Sequence, residues 1–266
     1  YSGDKLDPTT PAGTYGNTLG YTNFKLMKAT TTKTDNFGRP CSVWGLDNDN
    51  NKVLDKEIST VADAPVAVFT AKTKAADVAK ALSGYKLEDT NDKTYAINNT
   101  TTYTSSGTPT QFTTENIIAV NSKTANAALT VGNSAGDETT AGAIASETAN
   151  GKRIEIYANS ENVVTAAVVV TYTVAKVTGV TTAKDKVTYT FDSSVPTGTD
   201  FVDETADDTI VIAGTIAKGD YVTAVKPADS TVLYVYPTTS ITGTQTAKTS
   251  DNKITVSGTQ YSLGLG

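Results

Sequence analysis

From residue 153 to the C terminus the chain is written in a period of two. After "RIEIYA" (153–158), the runs "YTVAKVTGVTTAKDKVTYTF", "DDTIVIAGTIAKGDYVTAV", "STVLYVYPTTSITGTQTA" and "NKITVSGTQYSLG" alternate Val, Ile, Tyr and Thr with polar residues, and Gly, Asp and Pro punctuate them. Successive side chains of a strand point to opposite faces, so this pattern fits half-buried strands joined by tight turns. One stretch breaks it. "VVTAAVVVTYTVA" (163–175) is apolar without alternation, as expected of a strand buried on both faces. It is too short, and too interrupted by Thr, to span a membrane. About one residue in five is Thr, which with Val and Tyr suits a pleated surface.

The N-terminal half is more mixed. Residues 1–19, "YSGDKLDPTTPAGTYGNTL", show neither period and are expected to form an extended arm. The start at Tyr1 reads as a processed chain, with any signal peptide already removed. A first strand is expected within 21–34. Residues 42–46 and 52–54 flank "DNDNN" as a hairpin with a polar turn, and 62–71 forms a strand with Pro65 at its start or on an edge. "TKAADVAKALSGY" (73–85) is the one helical pattern. Ala75, Val78, Ala79 and Leu82 share a face, Thr73 is placed to cap the start, and Gly84 to end it. Short β-prone runs follow near 93–97, 101–104, 110–120 and 128–132, and 133–151 has no core-forming period and is expected to be a loop. The expected fold is mainly all-β: an arm (1–19), a first β-rich domain (20–174) with a short helix at about 73–84, and a second small β-sandwich or barrel (175–266).

The sequence has no His and a single Cys. Missing His removes Ser-His-Asp and Cys-His nucleophile schemes and most zinc or iron sites. Cys41, beside Pro40, fits a small buried hydrophobe, and Trp44 a core anchor on the same strand face as Ser42. Asp35 and Arg39 are spaced to pair across a turn. A net charge of -6 argues against a nucleic-acid partner, whose phosphates need a basic stripe. Asp47, Asp49 and Asn51 stand at alternate positions, like the first ligands of a calcium loop. The sixth loop position is Lys52 instead of Gly and the twelfth Ile58 instead of Glu, so a solvated hairpin turn competes with calcium there. Asp203, Glu204, Asp207 and Asp208 form a second acidic group. Asn98-Asn99-Thr100-Thr101 holds two overlapping glycosylation sequons. No other cofactor is expected.

In order along the chain, "FKLMKATTTKTDNFGRPCSVWGLDNDNNKV", "APVAVFTAKTKAADVAKALSG", "VVTYTVAKVTGV", "IAKGDYVTAV" and "ITGTQTAKTSDNKITVSGTQYSLG" cover most of residues 20–264. Together they resemble the β-rich region that follows the anchoring repeats in S-layer-homology (SLH) proteins of Firmicutes. The motifs are short, and their order carries the likeness. The resemblance implies a secreted protein held at the cell surface, often in two-dimensional arrays, and it brings no catalytic residues. The SLH repeats themselves are not seen here, so contact with cell-wall polysaccharide is expected only through an anchor outside this sequence.

The expected role is therefore structural and non-enzymatic: an extracellular, self-assembling homopolymer subunit of an S-layer-like sheet, tube or filament. Tyr1, Leu6, Pro8, Pro11, Tyr15 and Leu19 of the arm are the expected subunit contacts, because ordering a free arm costs entropy unless a neighbour holds it. The competing role is an adhesin or carbohydrate-binding module, with Tyr157, Tyr172, Tyr189, Tyr221, Tyr234 and Tyr236 available to line a groove.

Overall fold

The computed structural model describes residues 25–29, 33–47, 51–70, 73–88, 94–103, 138–148, 151–192, 195, 200–204, 208–228, 230–248 and 253–262. The chain divides into two compact units, one of Tyr1–Asp35 with Arg39–Ala64 and one of Asn36–Gly38 with Pro65–Gly266. The boundary expected at 174/175 falls inside a strand of the second unit.

The first unit is a four-stranded antiparallel sheet. Its centre is β3 (Pro40–Asp47), flanked on one side by β1 (Lys25–Lys28) and β2 (Lys33–Thr34) and on the other by β4 (Lys56–Ala62). The hairpin around the acidic turn is present, but its return strand begins at Lys56, beyond the 52–54 segment expected from the sequence. A β-bulge at Trp44/Gly45 shifts the β3–β4 register. Gly45 is required there, since a Cβ would collide with the Lys56 carbonyl oxygen. The turn into β3 is tied as the spacing suggested. Asp35 N–H donates to the Arg39 carbonyl at 3.0 Å, Arg39 N–H to Asp35 Oδ1 at 2.9 Å, and the guanidinium lies 3.4 Å from Oδ2.

The second unit begins, after the turn residues 36–38, with β5 (Ala67–Thr70) and α1 (Ala75–Ala81). Val78 and Leu82 are fully buried and Ala75 and Ala79 pack beside them, as the spacing predicts. The cap differs. Lys74 is the N-cap but its side chain does not cap the helix, and the Thr73 hydroxyl donates back to the Thr70 carbonyl instead. Two small pairs follow, β6 (Lys86–Glu88) with β7 (Thr94–Ala96) and β8 (Thr102–Tyr103) with β9 (Glu138–Thr139). The segment expected to be a loop carries a second helix, α2 (Thr140–Ser146). The Thr139 hydroxyl caps it by accepting the Gly142 N–H at 2.9 Å, and Ala141, Ala143 and Ile144 are buried. Its hydrophobic signal is weak because Ala supplies most of the buried face. The expected runs at 110–120 and 128–132 lie outside the described residues.

β10 (Lys152–Ala158) is the middle strand of a three-stranded sheet between β5 and β11 (Val164–Thr171). Ile154 and Ile156 enter one core with Phe69, Val78, Leu82, Leu87, Ile144 and Val169. The opposite face of the sheet forms another, from Tyr157, Val168, Val170, Tyr172 and Val225 with Phe37. Ala167 to Val170 are therefore all buried, the two-sided burial expected of this run.

The chain continues almost without interruption into β12 (Thr173–Ala183). Its first half pairs with β16 (Tyr221–Val225) and its second with β13 (Lys186–Phe191). With β14 (Asp200–Glu204), β15 (Ile210–Ile212) and β17 (Leu233–Pro237) they make a six-stranded sheet, antiparallel except where β15 joins β17 in parallel. Phe191, Phe201, Val177, Val222, Leu233 and Val235 fill its core. A three-stranded meander, β18 (Gln245–Lys248), β19 (Lys253–Val256) and β20 (Thr259–Ser262), closes the chain. The fold is all-β, with two short helices among the described residues where the sequence showed one. Ile156→Ala should destabilise the protein by about 2–5 kcal/mol in chemical denaturation, whereas Val180→Thr, at a partly exposed position, should stay within about 0.5 kcal/mol.

Candidate functional site

The acidic hairpin is organised by its own backbone. Asp47 is 2% exposed, and its carboxylate accepts the Asn51 N–H at 3.2 Å and the Lys52 N–H at 3.0 Å. Asn51 Oδ1 accepts the Val53 N–H at 2.7 Å, and Lys52 takes a positive φ of 69°. Two of the three proposed calcium ligands thus hold turn amides, and Asp49 lies outside the described residues. Of the second acidic group, Asp203 sits on β14, Asp207 lies outside the described residues, and nothing is described of the Glu204 side chain. Among the described residues, no three acids or thiols gather as a metal set would require.

Cys41 is buried, as its surroundings suggested. Burial, then the nearby Asp35 and Asp63 carboxylates, push its thiol above the ordinary value, which suppresses the reactive thiolate. On the opposite face of β3 the Ser42 hydroxyl donates to Asp63 Oδ1. Trp44 corrects the sequence expectation: it is 40% exposed and no core anchor. Directly paired residues share a face. Lys28 faces Trp44, which faces Ser59; Leu26 faces Leu46, which faces Lys56; Ser42 faces Val61. On this one face Leu26, Trp44 and Val61 are exposed, while Leu46 and Ser42 between them are buried.

One charged group had no distinct signal. Alternation along "RIEIYA" assigns Arg153, Glu155 and Tyr157 to a single face, which charge alone would turn to water. Instead Glu155 is 2% exposed. The Tyr157 hydroxyl donates to Glu155 Oε2 at 2.8 Å. Arg153 Nε lies 2.8 Å from Oε1, but its N–H is not aligned with an acceptor, so this contact is a charge pairing more than a hydrogen bond. A buried carboxylate needs such partners to stay in the fold.

The tyrosines do not line a groove together. Tyr157 and Tyr172 are buried, Tyr234 and Tyr236 pack on the same core, and Tyr189 packs beside Phe191 and Phe201. Burial and the Asp203 carboxylate push the Tyr189 phenol above its usual value. Only Tyr221 of the six is exposed, with Lys176 Nζ 5.6 Å from its ring centroid. In the sequon pair, Asn98 Oδ1 accepts the N–H groups of Thr100 and Thr101, as in a turn. The arm contacts Tyr1, Leu6, Pro8, Pro11, Tyr15 and Leu19 lie outside the described residues. No helix among the described residues is long and apolar enough to cross a membrane. No family model, curated protein or solved structure matches this chain.

Tyr157→Phe should cost about 1.5–3 kcal/mol in denaturant unfolding, because it strips a hydroxyl from a buried carboxylate. Cys41 and Tyr189 are both held neutral by the fold. The stability this provides is complete below their ordinary pKa values and is lost as pH rises through the raised ones. A thiol-reactive disulfide reagent at pH 8 should therefore label native protein slowly and unfolded protein at once.

Proposed function

We propose that this chain is a structural extracellular subunit that self-assembles into an S-layer-like sheet, tube or filament, without catalytic activity. The observation that carries this is the number of strands paired on one side only. Among the described residues the two ends of the six-stranded sheet meet, the Thr209 N–H donating to the Val202 carbonyl at 2.8 Å and the Val202 N–H to the Thr209 hydroxyl at 2.7 Å, whereas β4, β5, β18 and β20 end their sheets. Each such edge offers backbone donors and acceptors to another strand. The order of sequence motifs shared with the region after SLH repeats supports the same role. Head-to-tail pairing of unlike edges or faces builds an open lattice or fibre instead of a closed oligomer.

A second role, a carbohydrate-binding surface module, draws support from exposed Tyr221 with Lys176 at its ring. Negative-stain electron microscopy of purified protein, with and without a calcium chelator, separates the two. Ordered sheets, tubes or filaments are expected, and their loss on chelation would add calcium as a component. Monomers under every condition, with micromolar binding on a glycan array, would overturn the structural role in favour of the module. Deleting residues 1–19 should leave folded monomers that no longer polymerise.

A further inference from the structure

The face of the first unit's sheet that carries Trp44 stands apart from the rest of the described surface. Leu26, Trp44 and Val61 are 48%, 40% and 53% exposed, on three adjacent strands and on one side. Lys28 and Ser59 stand directly beside Trp44, with Leu26 and Val61 on its diagonals, and an exposed tryptophan with apolar residues in reach is a typical centre for a protein contact.

The charges on this face are net positive, two lysines against the Asp63 carboxylate. Lys28 shares the Trp44 row and Lys56 the Leu46 row. The acids nearby are engaged: Asp63 by the Ser42 hydroxyl on this face, and Glu57 by Lys33 in an exposed ion pair. An occupant should therefore bring apolar side chains together with carboxylates. Residues 1–19 of this same chain have that composition. Tyr1, Leu6, Tyr15 and Leu19 are interspersed with Asp4 and Asp7, against a single Lys5. Nineteen residues reach up to about 60 Å, whereas four strands span only about 15 Å. Such a segment can cross the whole face of a neighbour with length to spare. Pro8 and Pro11 lower the entropy lost on ordering it.

We infer that the Leu26–Trp44–Val61 face receives residues 1–19 of a second copy of this chain, with Asp4 and Asp7 meeting Lys28 and Lys56. This rests on the self-assembly proposed above and names the two surfaces involved.

Trp44 is the only tryptophan in the chain, so its fluorescence reports on this face alone. In full-length protein, passing from dilute monomer to assembled material should move its emission to shorter wavelength and reduce quenching by acrylamide severalfold. An excess of synthetic peptide 1–19, which has no Trp, should protect Trp44 in the same way and block assembly. Trp44→Ala should raise the critical concentration at least about tenfold. Lys28→Glu, at an exposed position that leaves the fold intact, should raise it too, and adding Asp4→Lys and Asp7→Lys in the same chain should restore it. Wild-type protein that assembles with Trp44 still fully quenched, or that ignores the peptide, overturns this inference and leaves self-assembly standing. Protection already complete in dilute monomer overturns it as well, by giving the face to the chain's own segment. Failure of the charge exchange to restore assembly counts against it in the same way. Wild-type protein that never assembles removes the underlying function itself.

Discussion

The second unit depends on one strand being buried on both sides. β10 lies between β5 and β11, sends Ile154 and Ile156 into the helix-covered core, and turns Glu155 and Tyr157 to the other. A one-residue slip of its register would exchange these faces. Arg153, Glu155 and Tyr157 would then move together into the aliphatic, helix-covered core, a placement that buried charge does not tolerate. The carboxylate thus opposes the wrong pairing more strongly than it favours the right one. An all-apolar β10 would have no such discrimination.

The same strand positions both helices. Val78 of α1, its C-cap residue Leu82 and Ile144 of α2 pack over Ile154 and Ile156, so the helices cover a sheet face that water would otherwise reach. On the other face Phe37, from the turn residues 36–38, packs against Tyr234 with ring centroids 4.9 Å apart. Asn36 Nδ2 lies 3.5 Å from the Tyr234 hydroxyl. A short polar turn therefore contributes a buried aromatic anchor, which its Asn, Gly and Arg neighbours do not announce.

Much of the fold was legible because period-two alternation records which faces are wet. The strands of the C-terminal half, the doubly buried run at 164–171 and the apolar face of α1 all follow from side-chain spacing. Three features did not. The helix at Thr140–Ser146 buries mostly Ala, whose hydrophobic signal is too small to mark a period. Trp44 has apolar residues on both faces of its strand, with Cys41 and Val43 on one and Leu46 on the other, so alternation cannot say which side is covered. The Arg153–Glu155–Tyr157 group reads as a solvent face until its mutual contacts are seen. For the candidate site, the Asp35–Arg39 tie and buried Cys41 were readable, while the exposed Leu26–Trp44–Val61 face required the register of three strands at once.

The parallel seating of β15 beside β17 carries a consequence for how the chain is made. β15 is synthesised before the strand that flanks it, and β16 and β17 pair with each other as close neighbours in sequence. Local closure is fast and distant closure slow, so β15 waits, with its Ile-Val-Ile unclaimed, until β17 emerges. During that interval the nascent chain shows a sticky segment to whatever is nearby. Asp207 and Asp208, just upstream in the sequence, are charges of the kind that oppose such association.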